Sequence, residues 1–210
     1  MSQYFQVHPD NPQARLIRQA GAILHAGGVV VYPTDSSYGL GCAIGATSKE
    51  AVERIRTIRQ MDTDHLMSLV CRDLSEIAAY AHVDNSAFRL LKSLTPGPYT
   101  FILKATSEVP KRLQHPKRKS IGLRVPDHRV TQALLGELDG PLVSTTLQLP
   151  ESEVPLNDPE EIRERLERQV DLVIDAGPCN IAPTTILDLS EGEPRVVRRG
   201  IGPLDWLEQH

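Results

Sequence analysis

The sequence predicts an α/β protein with an open, twisted, mixed parallel and antiparallel sheet of about seven strands, flanked by helices. Two observations lead to this fold class. Short runs of β-branched and apolar residues alternate with longer amphipathic segments along the 210 residues, as strands and helices do in α/β proteins. Several of the late runs are joined by short turns, which favours antiparallel neighbours within the sheet.

Apolar residues at helical spacing predict six helices. The first places Leu16, Ile17 and Ala20 on one face and ends near a Gly-Gly pair. The second is expected to begin with Thr47 or Ser48 as its N-cap, with Glu50 as the capping-box partner of Thr47. The six helices are expected over residues 12–26, 47 or 48–60, 73–81, 84–94, 127–138 and 158–169.

Short β-branched and apolar runs, bounded by Gly, Pro, Asn and Asp, predict the strands. No internal repeat and no long linker divides the chain, so one domain over residues 1–210 is expected. The strands are expected at residues 29–32, 66–71, 99–104, 120–126, 141–146, 171–177, 184–190 and 195–199.

The composition is that of an ordinary globular protein, with 40% hydrophobic and 24% charged residues. No apolar run approaches the roughly 20 residues that a membrane helix needs, and the N-terminal segment lacks the features of a secretory signal. Cys42, Cys71 and Cys179 are far apart in sequence and form no CxxC pair. Reduced thiols are therefore expected rather than disulfides or a zinc site. A soluble, cytoplasmic protein without membrane contact is the prediction.

Basic residues are clustered although the net charge is −4. One cluster is the segment KRLQHPKRK at residues 111–119. A second is Arg54, Arg56 and Arg59, and a third is Arg195, Arg198 and Arg199. A single basic run is more simply interpreted as solvated surface. Three runs make the alternative about equally good, namely that cations share one concave face and attract a polyanion.

The most informative segment is VVVYPTDSSYGLG at residues 29–41. Three valines and Tyr32 predict a buried strand, which Pro33 should end because it has no backbone donor. Several hydroxyls, one carboxylate and two glycines follow, and glycines let a ligand approach the backbone closely. This composition is typical of a small-molecule site at the end of a strand.

Several common sites are excluded by spacing. Gly39, Gly41 and Gly45 follow a strand, but their GxGxxxG spacing is one residue too long for a dinucleotide-binding loop. No GxxxxGK[ST] phosphate loop occurs. The histidines show no metal-ligand spacing, so no metal-binding residues are predicted.

Six segments resemble, in order, the signatures of the YrdC/YciO family, whose best-known members are threonylcarbamoyl-AMP synthases. Those enzymes combine L-threonine, bicarbonate and ATP into an activated intermediate for tRNA modification. The resemblance runs from about residue 10 to about residue 202, is closest to the YciO branch, and implies a YrdC-like α/β fold. The segments are YPTDSSYGLG (32–41), TPGPYTFIL (95–103), SIGLRVPDH (120–128), GPLVSTT (140–146), PTTILD (183–188) and VVRRG (196–200).

The resemblance implies a pocket for the amino acid and a pocket for the nucleotide. ATP would be a substrate accompanied by Mg²⁺, and Arg124 would pair with the amino-acid carboxylate in a bidentate fork. The implied threonine-binding residues are Thr34, Arg124, Thr146 and Thr184. The implied nucleotide-binding residues are Arg59, Ser120, Gln148 and Arg198.

Purely structural roles for these residues stay open as alternatives to ligand binding. Arg124 could be a strand arginine in a salt bridge, although a guanidinium between Leu123 and Val125 needs a partner if it is buried. Sheet hydroxyls bonded to the backbone are an equally good interpretation of three candidates. These three are Ser120, Thr146 and Thr184.

RNA is the other implied partner, because the family has a concave basic surface associated with double-stranded RNA and tRNA. Aromatic residues make up only 4% of the chain, so contacts would be to phosphates and duplex shape rather than by base stacking. The predicted RNA-binding residues are Lys111, Arg112, Lys117, Arg118, Lys119 and Arg199.

The chain departs from the synthase pattern at two places. Synthases carry Lys-x-Arg where this chain has Thr57-Ile58-Arg59, and Ser-x-Asn where it has Thr146-Leu147-Gln148. Losing one charge-assisted hydrogen bond costs roughly 1.5–3 kcal/mol, which is about one to two decades of rate if it is felt only in the transition state. Weak synthase activity or an altered substrate is expected. The alternative, from a different class, is a non-enzymatic protein that binds double-stranded RNA or tRNA.

Overall fold

A computed structural model describes residues 1–45, 48–62 and 65–209. The helices are α1 (Ala14–His25), α2 (Ser48–Arg59), α3 (Leu74–Tyr80), α4 (Asn85–Leu94), α5 (Arg129–Gly136) and α6 (Pro159–Leu166). The strands are β1 (Gln3–Gln6), β2 (Val30–Tyr32), β3 (Gly39–Ala43), β4 (Ser68–Val70), β5 (Tyr99–Lys104), β6 (Ser120–Arg124), β7 (Leu142–Thr146), β8 (Leu172–Asp175), β9 (Thr185–Asp188) and β10 (Arg195–Arg198). Of the described helices, none combines the length and the apolar character needed to cross a membrane.

The predicted fold class is confirmed, but the sheet has ten strands rather than about seven. The prediction missed β1, which is a polar edge strand, and β3, whose Gly39 and Gly41 disfavour a strand on propensity. Thr47 lies outside the described residues, and Ser48 is the first residue of α2, with its hydroxyl donating to the Gly45 carbonyl at 2.6 Å. The expectation of one domain over residues 1–210 stays a prediction.

The strands form one sheet in the order β1-β8-β2-β3-β7-β4-β6-β5-β9-β10. Parallel pairs join β8 to β1 and to β2, β4 to β6, and β5 to β9. The other neighbours are antiparallel. The antiparallel pairs β2–β3 and β9–β10 are each joined by a loop of six residues, a length that allows antiparallel but not parallel neighbours.

Helices cover the two faces of the sheet unequally. One face carries the main apolar cluster, in which Ile55 of α2, Ile77 of α3, Leu91 of α4 and Ile162 of α6 pack on the strands. On the other face, a smaller cluster beneath α1 and α5 takes its strand residues from β2, β4, β7 and β8. Within the described residues this second cluster contains no side chain of β5, β6 or β9. About half of the second face is therefore left uncovered.

Residues alternate between the two faces of a strand, and this alternation shows which side chains point to the uncovered half. In β6, Ile121 and Leu123 join the main apolar cluster, so Gly122 and Arg124 point to the uncovered side. In β5, Phe101 likewise faces the main cluster. The sequence thus places glycine, hydroxyl and arginine side chains where a helix would otherwise require apolar ones.

Candidate functional site

A polar cavity of about 130 Å³ opens on the uncovered half of the sheet. Strands β2 to β7, β9 and β10 each contribute to its wall. Hydroxyl side chains and two guanidinium groups dominate its polar lining, and the cavity can hold several waters or a small polar ligand. The side chains that matter most for its chemistry are Tyr32, Thr100, Arg124, Ser144, Thr184 and Arg198.

The sheet must curve strongly to form this cavity. The contributing strands are consecutive in the sheet order from β2 to β10, and in a flat sheet β2 and β10 would lie about 34 Å apart at the usual strand spacing. Small residues permit close approach on the concave side. A Cβ at Gly39 would lie 2.6 Å from Cζ of Tyr32, so only glycine fits against this ring.

A buried ion pair with Asp35 fixes the position of the Arg124 side chain. Its Nη2 contacts the Asp35 carboxylate, and its Nη1 donates to the Ser36 hydroxyl at 3.3 Å. The second Asp35 oxygen accepts the backbone N–H of Asp127 at 2.9 Å. Only 11% of the Arg124 side chain and 10% of the Asp35 side chain are exposed. The charge of Arg124 is therefore already compensated inside the protein.

Arg198 is the second guanidinium of the cavity and has no carboxylate partner within the described residues. Its Nε and Nη2 donate to the Thr184 carbonyl at 3.1 and 2.9 Å, and Nη2 also reaches the Thr184 hydroxyl at 3.2 Å. That hydroxyl lies 2.9 Å from the Thr100 hydroxyl. Partial burial lowers the pKa of Arg198, and the neighbouring Arg124 lowers it further. A bound anion would relieve both effects.

Gly200 fixes the strand that carries Arg198. A Cβ at this position would lie 2.3 Å from the Pro183 oxygen and 2.4 Å from the Thr184 carbonyl carbon. The backbone after β10 can therefore lie directly against the backbone before β9. This close approach keeps the Arg198 guanidinium at the Thr184 carbonyl.

Tyr32 and Ser144 form a hydroxyl pair in the wall of the cavity, with a short hydrogen bond between them. Ser144 also donates to the Leu40 carbonyl at 3.3 Å. Burial raises the pKa of Tyr32 to about 12, so the phenol stays protonated at neutral pH. The pair offers hydrogen-bonding groups to a ligand without adding charge.

The four predicted threonine-binding residues do not all face the cavity. Arg124, Thr146 and Thr184 line it together, whereas Thr34 is buried in the adjoining loop. The Thr34 hydroxyl donates to the Ser37 carbonyl at 2.6 Å and accepts the Ser36 N–H at 3.1 Å. Thr34 thus shapes the loop that carries Asp35 and Ser36.

The predicted nucleotide-binding residues are more scattered, since only Arg198 lines the cavity. Arg59 ends α2, and its buried Nε has no partner within the described residues. The Ser120 hydroxyl is likewise buried without a partner there, at the other end of β6 from Arg124. Gln148 donates to the carbonyls of residues 152 and 153 at 3.1 and 3.0 Å. Their nucleotide-binding roles stay predictions.

His65 belongs to the cavity wall although the sequence did not single it out. Partial burial lowers the pKa of His65, and the nearby Arg59 and Arg56 lower it further. The imidazole is therefore neutral at pH 7. Arg59 itself does not line the cavity, but its charge lies within electrostatic reach of His65.

The six predicted RNA-binding residues are all exposed. The 111–119 segment is anchored by the buried Leu113 and turned by His115, whose Nδ1 accepts the backbone N–H groups of Lys117 and Arg118 at 3.2 and 3.1 Å. Two of the six have side-chain partners: Arg112 bonds to the Ser48 hydroxyl and Arg118 pairs with Asp188. Their binding of RNA stays a prediction.

Comparison with known proteins identifies the family. The model of the Sua5/YciO/YrdC family, described as "Telomere recombination", matches residues 22–200, and the chain belongs to this family. YciO from Escherichia coli K12 is 57% identical over 202 residues, which cover 96% of this chain and 97% of YciO. The crystal structure of E. coli YciO matches with a TM-score of 0.92 over 97% of this chain and 98% of that one.

More distant relatives include named synthases. Threonylcarbamoyl-AMP synthase from Bos taurus is 33% identical over 193 residues, which cover 88% of this chain and 67% of the synthase. Sua5 from Pyrococcus abyssi, solved in complex with L-threonine, has a TM-score of 0.89 over 99% of this chain and 60% of Sua5. At 23% identity that likeness shows the shared fold. The family resemblance that the sequence motifs predicted is confirmed.

Sequence reasoning missed several cavity residues that a finer analysis of strand alternation could have found. Thr100 is a hydroxyl between Tyr99 and Phe101 in an apolar strand, and Ser144 follows Val143 in the same way. Each therefore points away from the main core. No comparable signal exists for the pairing of Asp35 with Arg124, because the two residues are 89 positions apart.

Replacing Asp35 by alanine should destabilise the protein by about 3 kcal/mol or more, because it leaves the buried Arg124 without its counter-charge. Urea unfolding followed by circular dichroism would measure this change. The matched control is Glu151→Ala, which removes a carboxylate from an exposed ion pair with Arg165 at 3.4 Å and should cost less than about 1 kcal/mol. If both variants lowered the free energy of unfolding equally, the buried pair would contribute no more to stability than the exposed pair.

Proposed function

We propose that this protein is an ATP-dependent enzyme that forms threonylcarbamoyl-AMP or a closely related adenylate. The observation that carries the proposal is the cavity arginine Arg198, which has no carboxylate partner in the part of the chain that the structure describes and lies beside the hydroxyls of Thr184 and Thr100. Membership in the Sua5/YciO/YrdC family and 33% identity to the bovine threonylcarbamoyl-AMP synthase support it.

The amino-acid half of the site would be the cavity itself. Its size, about 130 Å³, and its neutral hydroxyl lining suit a small polar amino acid such as L-threonine. The carboxylate would meet the positive charge of Arg198, because both terminal nitrogens of Arg124 are already engaged by Asp35 and Ser36. The Tyr32 and Ser144 hydroxyls would be available to the polar groups of the ligand. That Sua5 of the same fold was solved with L-threonine is compatible with this assignment.

The nucleotide half would extend from the cavity toward Arg59. This arginine has no carboxylate partner among the described residues, and its Nε is buried without a bond. Arg59 and the neutral His65 can donate to phosphate oxygens on one side, and Arg198 can do so on the other. ATP would enter as its Mg²⁺ complex, which lowers the charge that these few cations must balance.

The reaction needs positioning and cationic stabilisation more than a covalent intermediate. Threonine and bicarbonate give a carbamate with loss of water. A carbamate oxygen then bonds to the α-phosphorus of ATP, the bond from that phosphorus to the bridging oxygen breaks, and pyrophosphate leaves with the negative charge. Arg198 and Arg59 would stabilise this charge as it develops. Such an enzyme would act in the cytoplasm, on the pathway of tRNA modification.

The departures from the synthase motifs support weak activity. The Thr57 hydroxyl donates to the Glu53 carbonyl within α2 at 2.9 Å, so it offers no cation in place of the synthase lysine. The Gln148 amide is occupied by the carbonyls of residues 152 and 153. Each lost phosphate contact would lower the rate by about one to two decades.

Purified protein should release pyrophosphate only when ATP, L-threonine and bicarbonate are all present. Arg198→Ala should lower this rate by about tenfold or more, because it removes a cavity cation that no carboxylate of the described residues compensates. Arg165→Ala is the matched control, since it removes an exposed arginine whose partners are Glu151 and Glu161. Coupled pyrophosphate detection and calorimetric nucleotide binding are the measurements. The enzyme proposal fails if neither release nor nucleotide binding is detected.

Restoring the synthase lysine should raise activity. Thr57→Lys adds a cation two residues before Arg59, and we expect about a tenfold gain in the rate of pyrophosphate release through a recovered phosphate contact. Ser93→Lys adds the same charge on the exposed face of α4 and should change nothing. A gain from both variants, or from neither, would exclude a specific role for position 57.

A second candidate function is binding of double-stranded RNA or tRNA, with or without catalysis. The observation that favours it is the exposure of every residue of the predicted set, of which Lys117 and Lys119 have no ion-pair partner within the described residues. Duplex recognition through phosphates needs such cations and little aromatic surface. A tRNA-modifying enzyme would also need to contact RNA.

Replacing Lys117, Arg118 and Lys119 together by alanine should weaken binding of a short RNA duplex and reduce its salt dependence. Three lost phosphate contacts lower the slope of log affinity against log salt by about two to three. Fluorescence anisotropy over a salt series measures this slope. Wild-type affinity that does not vary with salt, or an unchanged slope in the triple variant, would contradict RNA binding through this segment.

A further inference from the structure

Asp188 is a buried carboxylate that does not line the cavity. It lies in β9 four residues after Thr184, about 13 Å away along the strand, and on the same side of the sheet by alternation. Its side chain is only 5% exposed. Asp188 is the last residue of the PTTILD segment, but the proposed reaction gives its side chain no role.

Both carboxylate oxygens of Asp188 are fully engaged. One oxygen accepts the backbone N–H and the hydroxyl of Ser190 at 3.0 and 2.6 Å. The other accepts Nη1 of Arg118 at 3.1 Å and Nη2 of Arg195 at 3.3 Å. Burial alone would raise the pKa of Asp188, but the bonds from Ser190 and the two arginines lower it below its usual range. The group is therefore ionised at neutral pH.

The two arginines come from different parts of the chain. Arg118 belongs to the exposed basic segment 111–119, and Arg195 is the first residue of the edge strand β10. Because both contact the same oxygen, their bonded nitrogens lie within two hydrogen-bond lengths of each other, about 6 Å. Without a shared anion, like charges at this distance would repel each other.

Each arginine uses only one of its nitrogens on Asp188. The side chains of Arg118 and Arg195 remain 40% and 70% exposed, and a guanidinium carries five N–H donors. Since one carboxylate meets two guanidinium groups, the cluster keeps one net positive charge at the surface. The remaining N–H donors of both guanidinium groups are left for an anion.

We propose that Asp188 is a positioning residue for RNA: it clamps Arg118 and Arg195 into one phosphate-binding pair and joins the 111–119 segment to β10 as a continuous basic edge. This inference rests on the second candidate function and names the part of the surface that duplex RNA contacts. Arg195 thereby joins the predicted RNA-binding set, and an acidic residue becomes necessary for binding an anion.

The sign of the effect separates this proposal from simple electrostatics. Asp188→Asn adds one positive charge to the surface, so a diffuse attraction of RNA would become stronger. A positioning role predicts the opposite, because the two arginines lose their shared anchor and repel each other. The hairpin between β9 and β10 supplies a matched control in Glu193, which is exposed and has no hydrogen-bond or ion-pair partner among the described residues.

The experiment is titration of a fluorescent RNA duplex with the full chain at several salt concentrations. Glu193→Gln should bind as tightly as the wild type or slightly more tightly. Asp188→Asn should bind about five- to tenfold more weakly, with a salt slope smaller by one to two. Thermal unfolding of each variant shows that the titrations are made on folded protein.

A double-mutant comparison distinguishes positioning from general destabilisation. If Asp188 acts through the two arginines, Asp188→Asn should cause no further loss of RNA affinity in an Arg118→Ala/Arg195→Ala background. A loss of the same size in that background would assign Asp188 a structural role and overturn the proposal.

Two other outcomes would also overturn it. Equal or tighter RNA binding by Asp188→Asn would leave diffuse electrostatics as the explanation while preserving the RNA-binding function. Absence of salt-dependent RNA binding by the wild type would remove the second candidate function and this inference with it. Pyrophosphate release depends on neither result, so the enzyme proposal is tested separately.

Discussion

The buried ion pair between Asp35 and Arg124 is the interaction on which the site depends. It ties the loop after β2 to the end of β6, and through the backbone of Asp127 it reaches the start of α5. Burying two charges is costly unless their remaining bonds are also satisfied. Ser36 and the Asp127 N–H supply two of those bonds, whereas the buried Nε of Arg124 has no partner among the described residues. The pair therefore fixes the position of one cavity wall and prevents an uncompensated charge inside the protein.

A second constraint is that helices cover one face of the sheet and only part of the other. The face under α2, α3, α4 and α6 carries the main apolar cluster. On the other face, the buried apolar cluster of the described residues lies beneath α1 and α5. The uncovered strands forgo hydrophobic burial, and glycine and hydroxyl residues replace the bulky side chains that a covering helix would need. The same exchange leaves room for the polar cavity that Thr184 and Arg198 line.

The helices, most strands and the family were predictable because each depends on local pattern or on ordered motifs. The strand β3 was not, because Gly39 and Gly41 lower strand propensity yet are required where Tyr32 packs against them. Motif resemblance named Arg124 and Thr184 but could not reveal that Asp35 already pairs with Arg124. It also could not distinguish Thr34, which bonds within its own loop, from Thr100, which faces the cavity. Such differences depend on contacts between distant segments, which local sequence patterns do not encode.

The cavity and the surroundings of Asp188 share the same balance of charges. Near the cavity, Asp35 compensates Arg124 while Arg198 has no carboxylate partner within the described residues. Outside the cavity, Asp188 is shared between Arg118 and Arg195. Each place holds two guanidinium groups and one carboxylate that is at least nine-tenths buried, so a single positive charge remains for an incoming anion: Asp35 pairs with Arg124 alone, whereas Asp188 pairs with both of its arginines. This arrangement explains how a chain with a net charge of −4 can present anion sites, because local stoichiometry, rather than total charge, determines the field inside a groove.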